Sequence, residues 1–231
     1  MMKVLGMALA MLMSTSAMAE FTGNIGVTND YVFRGESQSN EDMAFQGGVD
    51  WTVDDRWYLG AWASSVDFQD GDEASVELDV YGGYVWDMKQ GTTFDVGGIY
   101  YAYPGANSSL DYDFYEIYGG AAHNFGGTYN PTIGGKVSYS PSYFGDQGDT
   151  FYYELTGSAD IVYGFGLNAS WGYLDFGDSK KQPRNSYTDY KVGLTKSIVE
   201  NLDAELAYTG RNDSSSLTSD RWMASIAYTF D

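Results

Sequence analysis

The chain has 231 residues, a formal net charge of −20, no cysteine, four prolines, 29 glycines and 21 tyrosines. The missing cysteines exclude a disulfide framework and thiolate metal ligands, and the charge excludes nucleic acid as a partner, whose phosphates would be repelled. A mean hydropathy of −0.33 is compatible with a membrane barrel, in which only alternate strand residues face lipid.

Met1 to Ala19 has the form of a secretory signal peptide. Lys3 gives the positive start, Val4 to Met13 is an apolar run interrupted by Gly6, and Ala17-Met18-Ala19 offers small residues for cleavage. The run is too short to span a bilayer comfortably. Cleavage is expected to leave Glu20 as the mature N-terminus, with residues 20–231 forming one outer-membrane β-barrel domain.

From Phe21 onward the pattern alternates with period two, as a strand with one apolar and one polar face requires. The first segment sets Phe21, Ile25, Val27, Tyr31 and Phe33 against Thr22, Asn24, Thr28 and Asp30. The second sets Met43, Phe45, Val49, Trp51 and Val53 against Gln46, Asp50 and Thr52, and the third carries Trp57, Leu59, Ala61 and Ala63. In the fourth, Val76, Leu78, Val80, Tyr84 and Trp86 oppose Glu77, Asp79 and Asp87; in the fifth, Phe94, Val96 and Tyr100 oppose Asp95, Ile99 and Tyr101. The sixth pairs Tyr115, Ile117 and Ala121 with Glu116 and Tyr118, the seventh Ile133, Val137 and Tyr139 with Lys136, and the eighth Phe151, Tyr153 and Leu155 with Glu154 and Asp160. The ninth has Tyr163, Phe165, Leu167, Ala169, Trp171 and Tyr173 against Asn168 and Ser170; the tenth has Tyr190, Val192 and Leu194 against Asp189 and Lys191. The eleventh sets Leu202, Ala204, Leu206 and Tyr208 against Asp203 and Glu205, and the twelfth carries Trp222, Ala224, Ile226, Tyr228 and Phe230.

Short connections (around Asp54-Asp55-Arg56, 87–91, 126–130, 162–164 and 197–201) alternate with long polar ones (34–42, 67–74, 104–111, 140–149, 175–185 and 210–220). This is the asymmetry of periplasmic turns and extracellular loops, with both termini periplasmic. Tryptophan and tyrosine at the ends of the apolar faces (Trp51, Trp57, Trp86, Trp171, Tyr173, Trp222, Tyr228) suit interfacial girdles. Gly-Gly pairs inside five segments suit a curved wall. The fold class is therefore an all-β, transmembrane, antiparallel up-and-down barrel of twelve strands in the bacterial outer membrane.

Motifs near the start of this pattern carry a family resemblance. Asp30-Tyr31-Val32-Phe33-Arg34-Gly35, followed by Ser37-Gln38-Ser39, and Tyr101-Ala102-Tyr103-Pro104-Gly105 resemble the TorF family of porins, a group formerly catalogued as conserved proteins of unknown function. The resemblance covers the whole expected mature chain. It implies an outer-membrane barrel with a transport role and supplies neither catalytic residues nor a substrate. At the C-terminus Asp231 follows Phe230, where barrels commonly finish on the aromatic residue that the barrel-assembly machinery reads.

No catalytic residue, cofactor or metal site is expected. His123 is the only histidine; it lies on the lipid-facing parity near a short turn, with no serine beside it for a Ser–His device. The acidic loop Asp67 to Glu73 could gather oxygen ligands but lacks the ordered spacing of a calcium loop, and a solvated loop is the better reading. The polar parity places acids Asp50, Glu77, Asp79, Asp95, Glu116, Glu154, Asp160, Asp189, Asp203 and Glu205 in the lumen with bases Arg34, Lys136, Lys191 and Arg221. Lys136 and Glu154 lie symmetrically about the loop between their strands and can pair directly. Eight strands leave a filled interior and sixteen an open channel, so twelve is compatible with either.

The leading reading is a porin for passive diffusion of small, preferentially cationic or neutral solutes, with Glu116, Glu154 and Glu205 contributing most to selectivity. Its expected partners are outer-membrane lipid and lipopolysaccharide, the assembly machinery and small solutes. The alternative is a non-conducting structural or adhesive barrel acting through its outer loops; a lipid-acting enzyme is disfavoured by the histidine.

Overall fold

The computed structural model describes residues 20–69, 74–88, 90–177, 185–213 and 217–230. The expected signal peptide lies outside the described residues, as does Asp70 to Glu73 of the acidic loop. Twelve strands close into one antiparallel barrel. They are β1 (Glu20–Thr28), β4 (Ala44–Val53), β5 (Trp57–Ser65), β6 (Val76–Met88), β7 (Thr92–Ala102), β8 (Phe114–Asn124), β9 (Thr132–Ser140), β10 (Thr150–Asp160), β11 (Phe165–Phe176), β12 (Tyr187–Val199), β13 (Leu202–Arg211) and β14 (Arg221–Phe230). Between β1 and β4 sits a separate hairpin of β2 (Val32–Phe33) and β3 (Glu36–Ser37).

Each barrel strand pairs with its neighbours in sequence around the wall, and β1 closes it by pairing with both β4 and β14. Closure matters because an unpaired backbone amide in hydrocarbon costs several kcal/mol, roughly, and a closed barrel leaves no edge. The outer face is the expected apolar parity: Phe21, Ile25, Leu59, Ile117, Leu155 and Trp222 are all exposed. Aromatic neighbours on this face pack across strands, as Trp57 on Tyr84 at 4.7 Å and Trp86 stacked on Phe94 at 5.4 Å.

The Gly-Gly pairs lie inside β4, β6, β7, β8 and β9. Inward glycines also make room for tyrosine. Gly60 stands opposite Tyr81 in register, and a methyl group at Gly60 would overlap the Tyr81 ring.

One expectation is corrected. The alternation in the first segment continues through Tyr31 and Phe33, which would put both on the lipid face. Instead β1 ends at Thr28, and the side chain of Tyr31 is buried. The chain turns where the pairing with β14 ends in bonds to Asn29 and a local side-chain bond from Thr28 takes over. The Thr28 hydroxyl donates to the Asp30 carbonyl at 2.8 Å, the Asn29 amide donates to the Ala224 carbonyl, and the Ala224 amide donates to Asn29 Oδ1. The first long connection is thus 29–43, longer than the alternation suggests.

Candidate functional site

The first long loop enters the barrel. Its hairpin is a two-residue turn with Arg34 at φ 49° and Gly35 at φ 78°, in register Val32 to Ser37 and Phe33 to Glu36. Positive φ at both turn positions matches the twist of a tight hairpin. Glycine is required at position 35 on a second ground: a Cβ there would lie 3.0 Å from Asp189 Cβ and 3.1 Å from Arg211 Cβ, so the turn sits directly against the wall.

Polar contacts hold this hairpin at points around the lumen. Arg34 donates two parallel hydrogen bonds to Glu116 of β8, at 2.8 and 2.7 Å, with both side chains almost fully buried. Such a fork-to-carboxylate pair is among the strong hydrogen bonds. Tyr31 donates to Glu77 of β6 at 2.8 Å. Burial first, and then the charge of Glu77, hold the Tyr31 phenol well above its ordinary pKa, so it acts as a neutral donor. Glu36 accepts from Arg211 at the end of β13 at 3.0 Å, and Asp30 accepts from Arg221 at the start of β14 at 2.8 Å. Within the loop, the Ser37 and Ser39 hydroxyls also donate to Asp30, at 2.6 and 3.2 Å.

Aromatic side chains fill the remaining space at this loop end. Phe33 lies 5.8 Å from Tyr101, Tyr101 stacks on Phe114 at 4.3 Å, and Phe114 meets Tyr143 at 4.9 Å. Tyr103 packs with Phe68, Tyr112 and Phe144, and its hydroxyl bonds Glu77. The two sequence motifs, at 30–35 and 101–105, therefore meet in space: Phe33 touches Tyr101, and Tyr31 and Tyr103 share Glu77. Alternation cannot reveal this, because the contacts join residues about seventy positions apart. The one sequence signal was aromatic residues on the wrong parity of the fifth segment.

Below the hairpin, toward the short turns, the inward side chains are polar; Lys136, Glu154 and Lys191 are partly exposed, while Asp95 and Glu205 are buried. Lys136 and Glu154 face each other in register and pair at 3.3 Å, as their spacing about the loop suggests. Lys191 pairs with Glu205 at 2.8 Å, and Asn168 also donates to Glu205 at 3.1 Å. Asp50 accepts from Tyr81 at 2.6 Å and Asp95 from Tyr58 at 2.9 Å, while the Tyr58 and Tyr118 hydroxyls bond each other. Asp189, nearer the hairpin, accepts from Tyr152. Asp160 and Asp203 lie at the short-turn end, bonded by Asn130 and Ser197. Asp79 is fully buried, and neither carboxylate oxygen has a hydrogen-bond partner among the described residues. Glu116, Glu154 and Glu205, the three acids expected to dominate selectivity, are each neutralised by a base.

His123 packs edge-on against Phe125 at 4.5 Å and shares a 2.8 Å hydrogen bond with Thr92, the setting of an interfacial side chain. No group of three or more metal-ligating side chains occurs among the described residues.

A family model described as "Bacterial protein of unknown function (Gcw_chp)" matches residues 13–230. No curated protein matches the chain. Among solved structures, the KdgM porin aligns with a TM-score of 0.59 at 9% identity, covering 93% of this chain and 100% of that one. The NanC porin aligns at 0.60 and 8%, covering 92% and 100%. An outer membrane channel from Pseudomonas putida F1 aligns at 0.52 and 11%, covering 94% and 96%. At these identities the likeness is one of fold: the same closed barrel built on a different sequence.

Proposed function

Since the chain belongs to the Gcw_chp family of bacterial proteins, we propose that it is an outer-membrane porin for passive diffusion of small neutral or cationic solutes, with both termini on the periplasmic side. One observation carries the reading: a closed twelve-strand wall is apolar outside and polar inside, with more inward acids than bases. The TorF resemblance of the 30–35 and 101–105 motifs and the barrel shared with solved porins support the same reading.

The source of cation preference is revised. Glu116, Glu154 and Glu205 have basic partners, which cancel most of their field in the lumen. Asp50 and Asp95 are in no ion pair among the described residues, and they are the better candidates. A confined wall of fixed acids concentrates cations.

Stepwise current from purified protein in planar bilayers, with a cation-selective reversal potential across a salt gradient, is the expected result. An anion-selective potential removes the preference, and absence of current under all gating conditions removes the porin. The second reading, a non-conducting barrel acting through its outer loops, is favoured by the hairpin, which fills the loop end of the lumen in this conformation. Orientation is tested with single cysteines. One at Ser108, on an exposed long loop, is expected to react with an impermeant reagent on whole cells; one at Gln90, on a short turn, is not.

A further inference from the structure

The contact between Arg34 and the barrel has the form of a ligand in a binding site. Glu116, Tyr101 and Tyr152 belong to the wall, and Tyr143 to the loop between β9 and β10. Together they present a carboxylate bordered by aromatic faces. The guanidinium carbon of Arg34 lies 4.0 Å from the Tyr152 ring centroid and 5.6 Å from that of Tyr143, with Phe33 of its own hairpin at 4.7 Å, while both terminal nitrogens engage Glu116. Tyr101 donates to the same carboxylate at 3.4 Å. A planar cation between aromatic faces, forked onto a carboxylate, is the recognition geometry of guanidinium.

Arg34 fills this pocket imperfectly. Its Nε is buried without a hydrogen-bond partner, and so are both oxygens of Asp79. Tyr101 and Asp79 stand opposite one another in register, which places that unpartnered carboxyl group beside the pocket. Buried polar groups without partners destabilise the arrangement that leaves them so. A free cation that satisfies more of these groups would compete with the tethered occupant.

We propose that the pocket of Glu116, Tyr101, Tyr143 and Tyr152 is a recognition site for guanidinium-bearing solutes, held in this conformation by the protein's own Arg34, so that a solute taking the pocket releases the hairpin from the lumen. This deepens the porin reading and rests on it for the passage that follows release. The site itself is a matter of binding and stands apart from conduction.

The test uses the folded full-length barrel in detergent, with methylguanidinium as probe and methylammonium as control, titrated by calorimetry. Arg34→Ala vacates the pocket, and Arg34→Gln repeats the test with a longer side chain on the hairpin. Methylguanidinium is expected to bind Arg34→Ala about tenfold more tightly than Arg34→Ala/Glu116→Gln, the scale of a lost charge-assisted hydrogen bond. Binding to the unaltered protein should be weaker than to Arg34→Ala, because Arg34 competes. Equal affinity with and without Glu116, or equal affinity for methylguanidinium and methylammonium, overturns the site. The same samples in planar bilayers separate the two readings. Glu116-dependent binding without any current supports the site and removes the porin, whereas current without such binding keeps the porin and overturns the site.

Discussion

Arg34 and Glu116, at the loop end of the lumen, keep 6% and 2% of their side-chain surfaces exposed; Lys136 and Glu154, below the hairpin, keep 32% and 23%. Both are a base paired with a glutamate on an inward face. The first joins a loop to a strand eighty-two residues away and is sealed under aromatic rings, while the second joins neighbouring strands in register beside solvent. The physical meaning of an ion pair depends on this setting. A buried partner left alone retains its full desolvation penalty, whereas an exposed one is rehydrated and screened. The contacts of the loop end are thus costly to break one at a time, and those of the region below are not.

The largest expected effect breaks the buried pair. Glu116→Gln leaves the Arg34 charge without its carboxylate, a loss of about 3–5 kcal/mol unless the hairpin withdraws. Withdrawal should expose the Arg34–Gly35 bond to trypsin, giving a fragment absent from the unaltered protein. If that bond stays protected and the thermal midpoint is unchanged, the latch has no energetic weight.

Somewhat smaller is the effect of Gly35→Val. A side chain at φ 78° is strained by about 1–3 kcal/mol and would also press on Asp189 and Arg211. Open-channel probability in planar bilayers should rise, as a displaced turn no longer fills the loop end. Unchanged gating in a correctly folded variant would mean the hairpin does not limit passage.

Below the hairpin, Lys136→Gln should lower stability by less than about 1 kcal/mol, because its pair is part-exposed. It frees Glu154, so the reversal potential should move toward greater cation selectivity, most at low salt. A stability loss as large as that of Glu116→Gln would erase the distinction between the two regions. Smallest of all, Asn168→Gln changes the distance to Glu205 while Lys191 still pairs with it, and selectivity should stay within measurement scatter.

Much of the wall was legible from the chain alone. Period-two alternation is a local property of extended backbone, so apolar residues such as Ile117, Leu155 and Leu194 announce the lipid face wherever they occur. The alternating connection lengths likewise carried the order of turns and loops, and the symmetric spacing of Lys136 and Glu154 carried their pairing. Tyr31 and Phe33 were misread for the same reason that the rest succeeded: their parity continues that of Val27, and only the Thr28 and Asn29 hydrogen bonds turn the chain inward. The sequence by itself determined a twelve-strand wall with one apolar and one polar face, because neighbouring residues alternate under the same local geometry. Only the tertiary structure decided that the loop segment 30–36 lies inside that wall, because its partners Glu77, Glu116, Arg211 and Arg221 come from four different strands, and nothing in the spacing of a chain specifies which charges closure brings within hydrogen-bonding reach.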